Sequence, residues 1–526
     1  MASRTRRFFL NGISLTLTAL IMRGIGMLFG AYIAKNAGSE TMGLYSLLGS
    51  VYAFSITLAT AGINLGTTRL ISDAIGLGDR SLAVRSVKRA LSICVITGAL
   101  ATLLLYSLSP LLSKELLGDV RATRPLRYLA FTLIPIAVCS CLSGYFTAVR
   151  RVKINAAFQV FAQFIKIGAT IFLLSTRVGK GAEEACVALV LGGAVAEFVS
   201  LLISYLLYRI DITKLNSEEK AVSSDVGLTK KLLIITLPVT FSACIRSALS
   251  MLQHALIPKG LKASGSSWEK ALSSYGALHG MAMPAVLFPS AIVQAFAGLM
   301  LPEVSECCIQ NDLIRLRRVG SRSLTLSLFF SIGTAGIMLF FSAPLGELIY
   351  GSDETARYIR LMAPLIPVMY VDSVADAVLK GSNHQVYSMN VNIIDTLTAC
   401  LFALLLIPKM GIWGYVLSIY ATEILNTTLS MIKMMSICKI HVRVFHSVVM
   451  PILCIIGATN LSSIVISILR LNACSVIGLI FSIVLTVALY ILLLLLTKTV
   501  GKDEKEFLHA SLLSERAYNE RYSVRL

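Results

Sequence analysis

The chain has 526 residues, 56% of them hydrophobic and only 14% charged, with a mean hydropathy of +0.78. Soluble domains carry about 25% charged residues, so this composition excludes a soluble protein and points to an all-α, polytopic membrane protein. The formal net charge of +19 comes from short basic clusters between apolar runs, which read as topology signals rather than a nucleic-acid face.

In chain order, about fourteen apolar segments follow one another: 8–34, 42–68, 90–112, 128–149, 155–176, 185–208, 232–257, 274–300, 323–346, 359–379, 388–408, 411–437, 445–469 and 473–497. Crossing a bilayer takes roughly 20 apolar residues. The N-terminus (Arg4, Arg6, Arg7, then apolar residues) superficially resembles a signal peptide, but its run is too long and lacks a cleavage site. It reads as a retained first span.

Within that span Arg23 is the single charge between Arg7 and Lys35, flanked by Gly24 and Gly26. A guanidinium at mid-depth costs at least about 2.5–3.5 kcal/mol on insertion scales. It is tolerated where it faces a polar cavity or a partner. In the second span GINLGTT (Gly62–Thr68) precedes Arg69. There an i,i+4 ion pair with Asp73 and a substrate-entry contact are both open readings. Lys166 lies in the fifth span and Arg246 in the seventh. Arg23 and Arg246 are too far from the span ends to snorkel easily. Together they suit phosphate or pyrophosphate, because guanidinium grips phosphate oxygens bidentately.

The acids inside spans are Glu197, Asp372, Asp376, Asp395 and Glu423. They either counterbalance the arginines or bind protons or sodium for coupling. Prolines at 135, 238, 284, 289, 364 and 367 fall in or near spans and are expected to kink them.

With the N-terminus inside, the inner loops collect Arg80, Arg85, Lys88 and Arg89; Arg150, Arg151 and Lys153; Arg209, Lys214, Lys220, Lys230 and Lys231; Arg315, Arg317, Arg318 and Arg322; and Lys433, Lys439 and Arg443. The positive-inside rule then puts both termini in the cytoplasm and the protein in the cell membrane.

The halves of the chain resemble each other. RYLAFTLIPI (Arg127–Ile136) matches RLMAPLIPV (Arg360–Val368), and AVAEFVSLLISYL (Ala194–Leu206) matches YATEILNTTLSMI (Tyr420–Ile432), with Glu197 opposite Glu423. The run from Arg23 to Lys35 and on into AGSETMGLYSLL parallels Arg246 to Lys259 and KASGSSWEKALSSYGAL. An even-numbered repeat keeps its orientation, so the halves are related by an axis along the membrane normal. The expected organisation is an N-lobe of six helices (1–210), a cytoplasmic linker (211–230), a C-lobe of six (231–440), helices 13 and 14 (441–498) and a cytoplasmic tail (499–526). Arg23 and Arg246 are expected to meet across a cavity between the lobes.

The eleven cysteines form no CxxC pair and no zinc-type spacing, so they read as packing residues. There is no GxSxG, P-loop or HExxH. Neither an enzyme nor a cofactor is expected, and transport must run downhill or use an ion gradient.

NGISLTLTALIMRGIGMLFGAYIAKNAGSETMGLYSLL, AGINLGTTRLIS, LIPKGLKASGSSWEKALSSYGALHGMAMPAVLFPSAI, LMLPEVSE and LIPKMGIWGYVLSIYATEIL resemble the stage V sporulation protein B group. That group belongs to the multidrug/oligosaccharidyl-lipid/polysaccharide flippase superfamily, alongside the lipid II flippases. The resemblance covers nearly all of the chain. It implies two six-helix lobes plus two C-terminal helices, a central cationic cavity, and alternating access for an undecaprenyl-pyrophosphate-linked sugar. It carries the first-span arginine onto Arg23 and the basic residue closing GI-x-x-x-x-x-[KR]-L onto Arg69. The fifth-span E-Q-x-x-R pattern stands here as AQFIK, with Ala162 for its acid and Lys166 for its arginine. Gln253 and His254 stand where relatives show an acid before I-P-[RK].

The expected function is a flippase for a lipid-linked oligosaccharide such as a peptidoglycan precursor. Its partners would be the anionic isoprenoid-linked sugar, the bilayer and a coupling proton or sodium ion. The alternative is an ion-coupled multidrug antiporter, which should centre on carboxylates and aromatics. A scaffold for envelope enzymes is a third reading; it leaves the insertion cost of the mid-span charges without a purpose.

Overall fold

Every regular element among the described residues is helical, as a solvent without hydrogen-bonding partners requires of a spanning backbone. The computed structural model describes residues 2–60, 62–77, 79–149, 151–177, 181–215, 227–440, 444–468, 475–497 and 499. Arg150, Lys220, Arg443, Cys474, most of the 211–230 linker and the tail from residue 500 lie outside them. The chain is a polytopic membrane protein. Apolar side chains stand exposed along its helices, among them Phe172 (69%), Phe241 (70%), Ile468 (73%) and Ile477 (83%). Exposed apolar surface of that kind belongs against lipid.

Among the described residues ten helices are long and apolar enough to cross a bilayer, and two bent pairs raise that to as many as twelve. The number stays below the expected fourteen or so because two expected spans pass as a single stretch and the helix Ile412–Cys438 is not among those that pass. Ile21–Gly76 passes as one stretch of 56 residues, about 84 Å at 1.5 Å per residue, yet Gly38 breaks it with a non-helical backbone (φ 80°, ψ 169°). The expected span 274–300 is interrupted by a π-helical turn at Gly276–Ala282 and restarts at Met283–Leu287 and Ser290–Ile309. Prolines sit at these breaks. Pro284 and Pro367 open helices and Pro289 is an N-cap, while Leu228–Ile234 bends by 43° into Val239–Ala263. Proline there removes one backbone donor and clashes with the preceding turn.

The chain forms two compact units, one of residues 36–276 and 400–415, the other of residues 1–35, 277–399 and 416–526. In the 36–276 unit, glycines let helices touch by their backbones. Gly62 and Gly66 lie against Thr236 and Leu232 of Leu228–Ala263, and Gly144 lies against Asn64 and Thr67. An apolar cluster of Ile71, Val87, Val138, Leu142, Tyr145, Phe146, Tyr208 and Ile212 fills one end. There Asp211 accepts from Tyr145 (3.2 Å) and pairs with Arg151 (2.6 Å).

At another corner of this unit Asp119 is 5% exposed. It is gripped by Arg121, which also pairs with Glu40 at 2.8 Å, and by Trp268 Nε1 at 2.9 Å. Burial alone would raise the Asp119 pKa, but the hydrogen bonds from Arg121 and Trp268 outweigh it and hold the carboxyl below its usual range. A lowered acid contributes stability that is complete above the unfolded pKa near 3.9 and is lost as pH falls through the lower folded value. Asp119→Ala is therefore expected to cost about 1–3 kcal/mol. In detergent, its apparent Tm should lie below wild type by a constant margin from pH 5 to pH 8. A margin that shrank across that range would contradict the ionised, paired carboxylate.

In the other unit the last two helices, Met450–Ile468 and Val476–Leu496, pack on Leu313–Phe340 through Phe329, Ile332, Cys454, Ile455, Ala458, Tyr490 and Leu494. Gly333 makes room for the Tyr490 ring, whose hydroxyl donates to the Phe329 carbonyl at 2.8 Å.

Candidate functional site

Arg23 belongs to the unit containing 277–399. Its guanidinium donates to Ser290 Oγ (3.2 Å) and Gln294 Oε1 (3.3 Å), while Gln294 Nε2 donates to Ser290 Oγ (3.4 Å). Gly24, one residue on, lies against the Phe288 ring. Ser290 and Gln294 stand one turn apart on Ser290–Ile309 and so share a face. Both are neutral, so among the described residues Arg23 has no ion pair and keeps its full charge available. The i,i+4 pair in SAIVQAF was the signal that could have marked them.

The same unit holds four of the acids. Asp372 Oδ2 accepts from Asn426 Nδ2 at 3.2 Å, while Asp372 Oδ1 and Asn426 Oδ1 are buried with no hydrogen-bond partner. Asp376 is satisfied by Ser388 Oγ (2.5 Å) and by Lys380 (2.8 Å) one turn along its helix. Glu423 feels Asp395 and Asp372 as like charges. Asp372, Asp395 and Glu423 are thus gathered into one anionic locality, and none of them neutralises Arg23.

In the 36–276 unit Arg246, on Leu228–Ala263, is exposed and makes no hydrogen bond or ion pair with any described residue. Arg69 on Ile63–Gly76 is likewise exposed. The i,i+4 pair with Asp73 is not formed. Lys166 attracts Glu197 electrostatically, and its stem reaches Gly193, one turn before Glu197. These two are brought together without closing to an ion pair. No group of three or more His, Cys, Asp or Glu side chains suited to a metal ion occurs among the described residues.

Comparison with known proteins gives concordant matches. A family model described as "Polysaccharide biosynthesis protein" matches residues 9–307, and the MatE model matches 265–405. Stage V sporulation protein B of Bacillus subtilis (strain 168) is 25% identical over 96% of this chain and 98% of its own. Lipid II flippase MurJ of the same organism is 21% identical over 77% and 78%. A solved structure of lipid II flippase MurJ in an inward closed conformation superposes with a TM-score of 0.66, at 13% identity, over 92% of this chain and 99% of that one. The last match speaks to the fold alone. The resemblance read from the first, second, seventh, eighth and twelfth spans is borne out by these matches.

Proposed function

We propose, from the premise that this chain belongs to the polysaccharide biosynthesis protein family, that it is a flippase for a lipid-linked oligosaccharide. The finer reading is an undecaprenyl-pyrophosphate-linked sugar, such as a peptidoglycan precursor, moved across the cell membrane by alternating access. The observation that carries it is the state of the cations. Arg23 touches only neutral acceptors, and Arg69 and Arg246 touch none among the described residues. A cation held in an apolar span without an acid to neutralise it is poised for an anion that arrives and leaves. A pyrophosphate supplies that anion, and guanidinium matches its oxygens in geometry as well as charge. The similarity to a lipid II flippase supports the same ligand class.

In this reading the lobes 1–210 and 231–440 rock about the bound head group while the isoprenoid tail stays in lipid. Both termini face the cytoplasm. Arg23 and Arg246 grip the pyrophosphate, Arg69 guides entry, and Lys166 assists beside Glu197. Flipping of a labelled lipid-linked precursor in proteoliposomes tests it; absence of flipping above protein-free vesicles would remove it.

A second reading, the ion-coupled organic-cation antiporter, is favoured by the acid locality and by the MatE match over 265–405. We assign those acids to coupling within the flippase instead. Asp372 and Asn426 each keep an unpartnered buried oxygen, a donor set suited to a proton or sodium ion. Asp372→Asn is expected to leave precursor binding within about twofold while abolishing the response of flipping to an imposed proton or sodium gradient. An unchanged gradient response in that variant would discard the assignment.

A further inference from the structure

Two lysines that correspond in the repeat make the same unusual contact. Lys35 ends the first span and donates its ammonium to the Leu348 carbonyl at 2.6 Å. Lys259 ends the seventh span and donates to the Glu115 carbonyl. The acceptors also correspond: each lies three residues before a left-handed glycine, Gly118 (φ 74°) or Gly351 (φ 64°). Each sits in a π-helical turn, Leu112–Leu117 or Gly346–Tyr350.

The chemistry of the two acceptors is the same. The last turn of a helix leaves carbonyls without intrahelical partners, and the helix dipole makes that end negative. An ammonium completes it. Glycine is needed for two reasons: the backbone there is left-handed, and the lysine stem runs over the turn. A Cβ on Gly118 would sit 3.4 Å from Lys259 Cε, and one on Gly351 would sit 3.9 Å from Lys35 Cγ.

Each contact joins opposite halves of the repeat. Lys35 comes from the first half and Leu348 from the second; Lys259 comes from the second and Glu115 from the first. The segments that follow the two lysines also meet. Past Gly38 (φ 80°) and Gly265 (φ 99°), Ser39 and Ser273 share a hydrogen bond of 2.6 Å. Gly43 and Gly276, equivalent in the repeat, cross backbone to backbone. A Cβ on Gly43 would overlap the Leu272 carbonyl oxygen, and one on Gly276 would overlap the Ser39 carbonyl oxygen.

We propose that Lys35 and Lys259 are paired latches, each of which ties the first half of the repeat to the second, at the outer ends of their spans under the positive-inside assignment, between substrate cycles. Opening outward separates the two halves of the repeat, so each ammonium–carbonyl bond that joins them must break. A carbonyl is a suitable acceptor for such a device: it holds the ammonium by one hydrogen bond and leaves no buried unpaired carboxylate behind on release. The inference rests on the alternating-access reading but not on which substrate is carried.

The test uses the full chain in nanodiscs, with Leu272→Cys as reporter, because Leu272 is fully buried at the crossing. Its rate of modification by a maleimide is read by peptide mass mapping, which resolves it from native cysteines and needs no substrate. Adding Lys35→Met and Lys259→Met is expected to raise that rate at least roughly tenfold, whereas Lys35→Arg with Lys259→Arg should stay near the reporter alone. A double Met variant that elutes as the reporter does yet labels at the same rate would overturn the latch. Should the double variant not fold, Lys35→Met alone decides, since Lys35 is exposed: faster labelling supports the latch and an unchanged rate removes it. Loss of flipping with intact latch behaviour would count against the substrate reading alone.

Discussion

Arg246→Ala and Arg23→Ala are each expected to lower flipping of a lipid-linked precursor roughly 10–100-fold in proteoliposomes. Each removes a charge-assisted contact to phosphate, worth about 1.5–3 kcal/mol where water is excluded. The effect should fall on transport and not on folding, because neither guanidinium ties the fold together. Arg246 has no partner among the described residues, and Arg23 has only Ser290 and Gln294. Lysine at either position should recover part of the rate, since it keeps the charge and loses the fork. Rates within twofold of wild type in both alanine variants would remove these residues from the binding site. A drop in apparent Tm matching the drop in rate would assign them a structural role instead.

The second large effect is expected at the glycine crossing. Gly43→Ala places a methyl on the Leu272 carbonyl oxygen, and Gly276→Ala places one on the Ser39 carbonyl oxygen. Backbone atoms cannot rotate away as a side chain can, so the helices must separate; overpacking of this kind costs about 1–3 kcal/mol or more. Both variants should lose apparent Tm and flip precursor at close to the background rate. Gly49→Ala supplies the internal control, because a Cβ at position 49 meets nothing within 4 Å. Alanine there should be neutral or stabilising by up to about 1 kcal/mol. Thermal unfolding of the three variants side by side checks the contrast in sign. Equal behaviour at positions 43 and 49 would contradict the close crossing.

The helical membrane architecture was legible because apolar run length carries it almost alone. Span ends were less so. The third span was expected from residue 90, but its helix starts at Arg80, capped by Asp79, whose carboxylate accepts from Leu82 N at 2.7 Å. Helices here project beyond the apolar zone as polar turns, which hydropathy cannot see. The π-helical turns at Leu112–Leu117 and Gly346–Tyr350 were invisible for a different reason: each is closed by a left-handed glycine, Gly118 or Gly351, and leaves no mark in the periodicity. At the candidate site, Arg23 stood out as a lone charge in an apolar run, whereas its partners Ser290 and Gln294 are neutral and common in such runs. The Arg69–Asp73 spacing fitted an ion pair, yet both side chains are exposed and do not meet. Sequence spacing shows which contacts are possible; packing decides which are made.

Reconstitution of the purified protein tests the central claim most directly. Vesicles holding a fluorescent lipid-linked pyrophosphoryl sugar, and parallel vesicles holding an organic cation, are compared with protein-free controls. The account predicts protein-dependent movement of the lipid, inhibited by unlabelled precursor and reduced in Arg23→Ala and Arg246→Ala, with no movement of the cation. Gradient-driven export of the organic cation without movement of the lipid would contradict it.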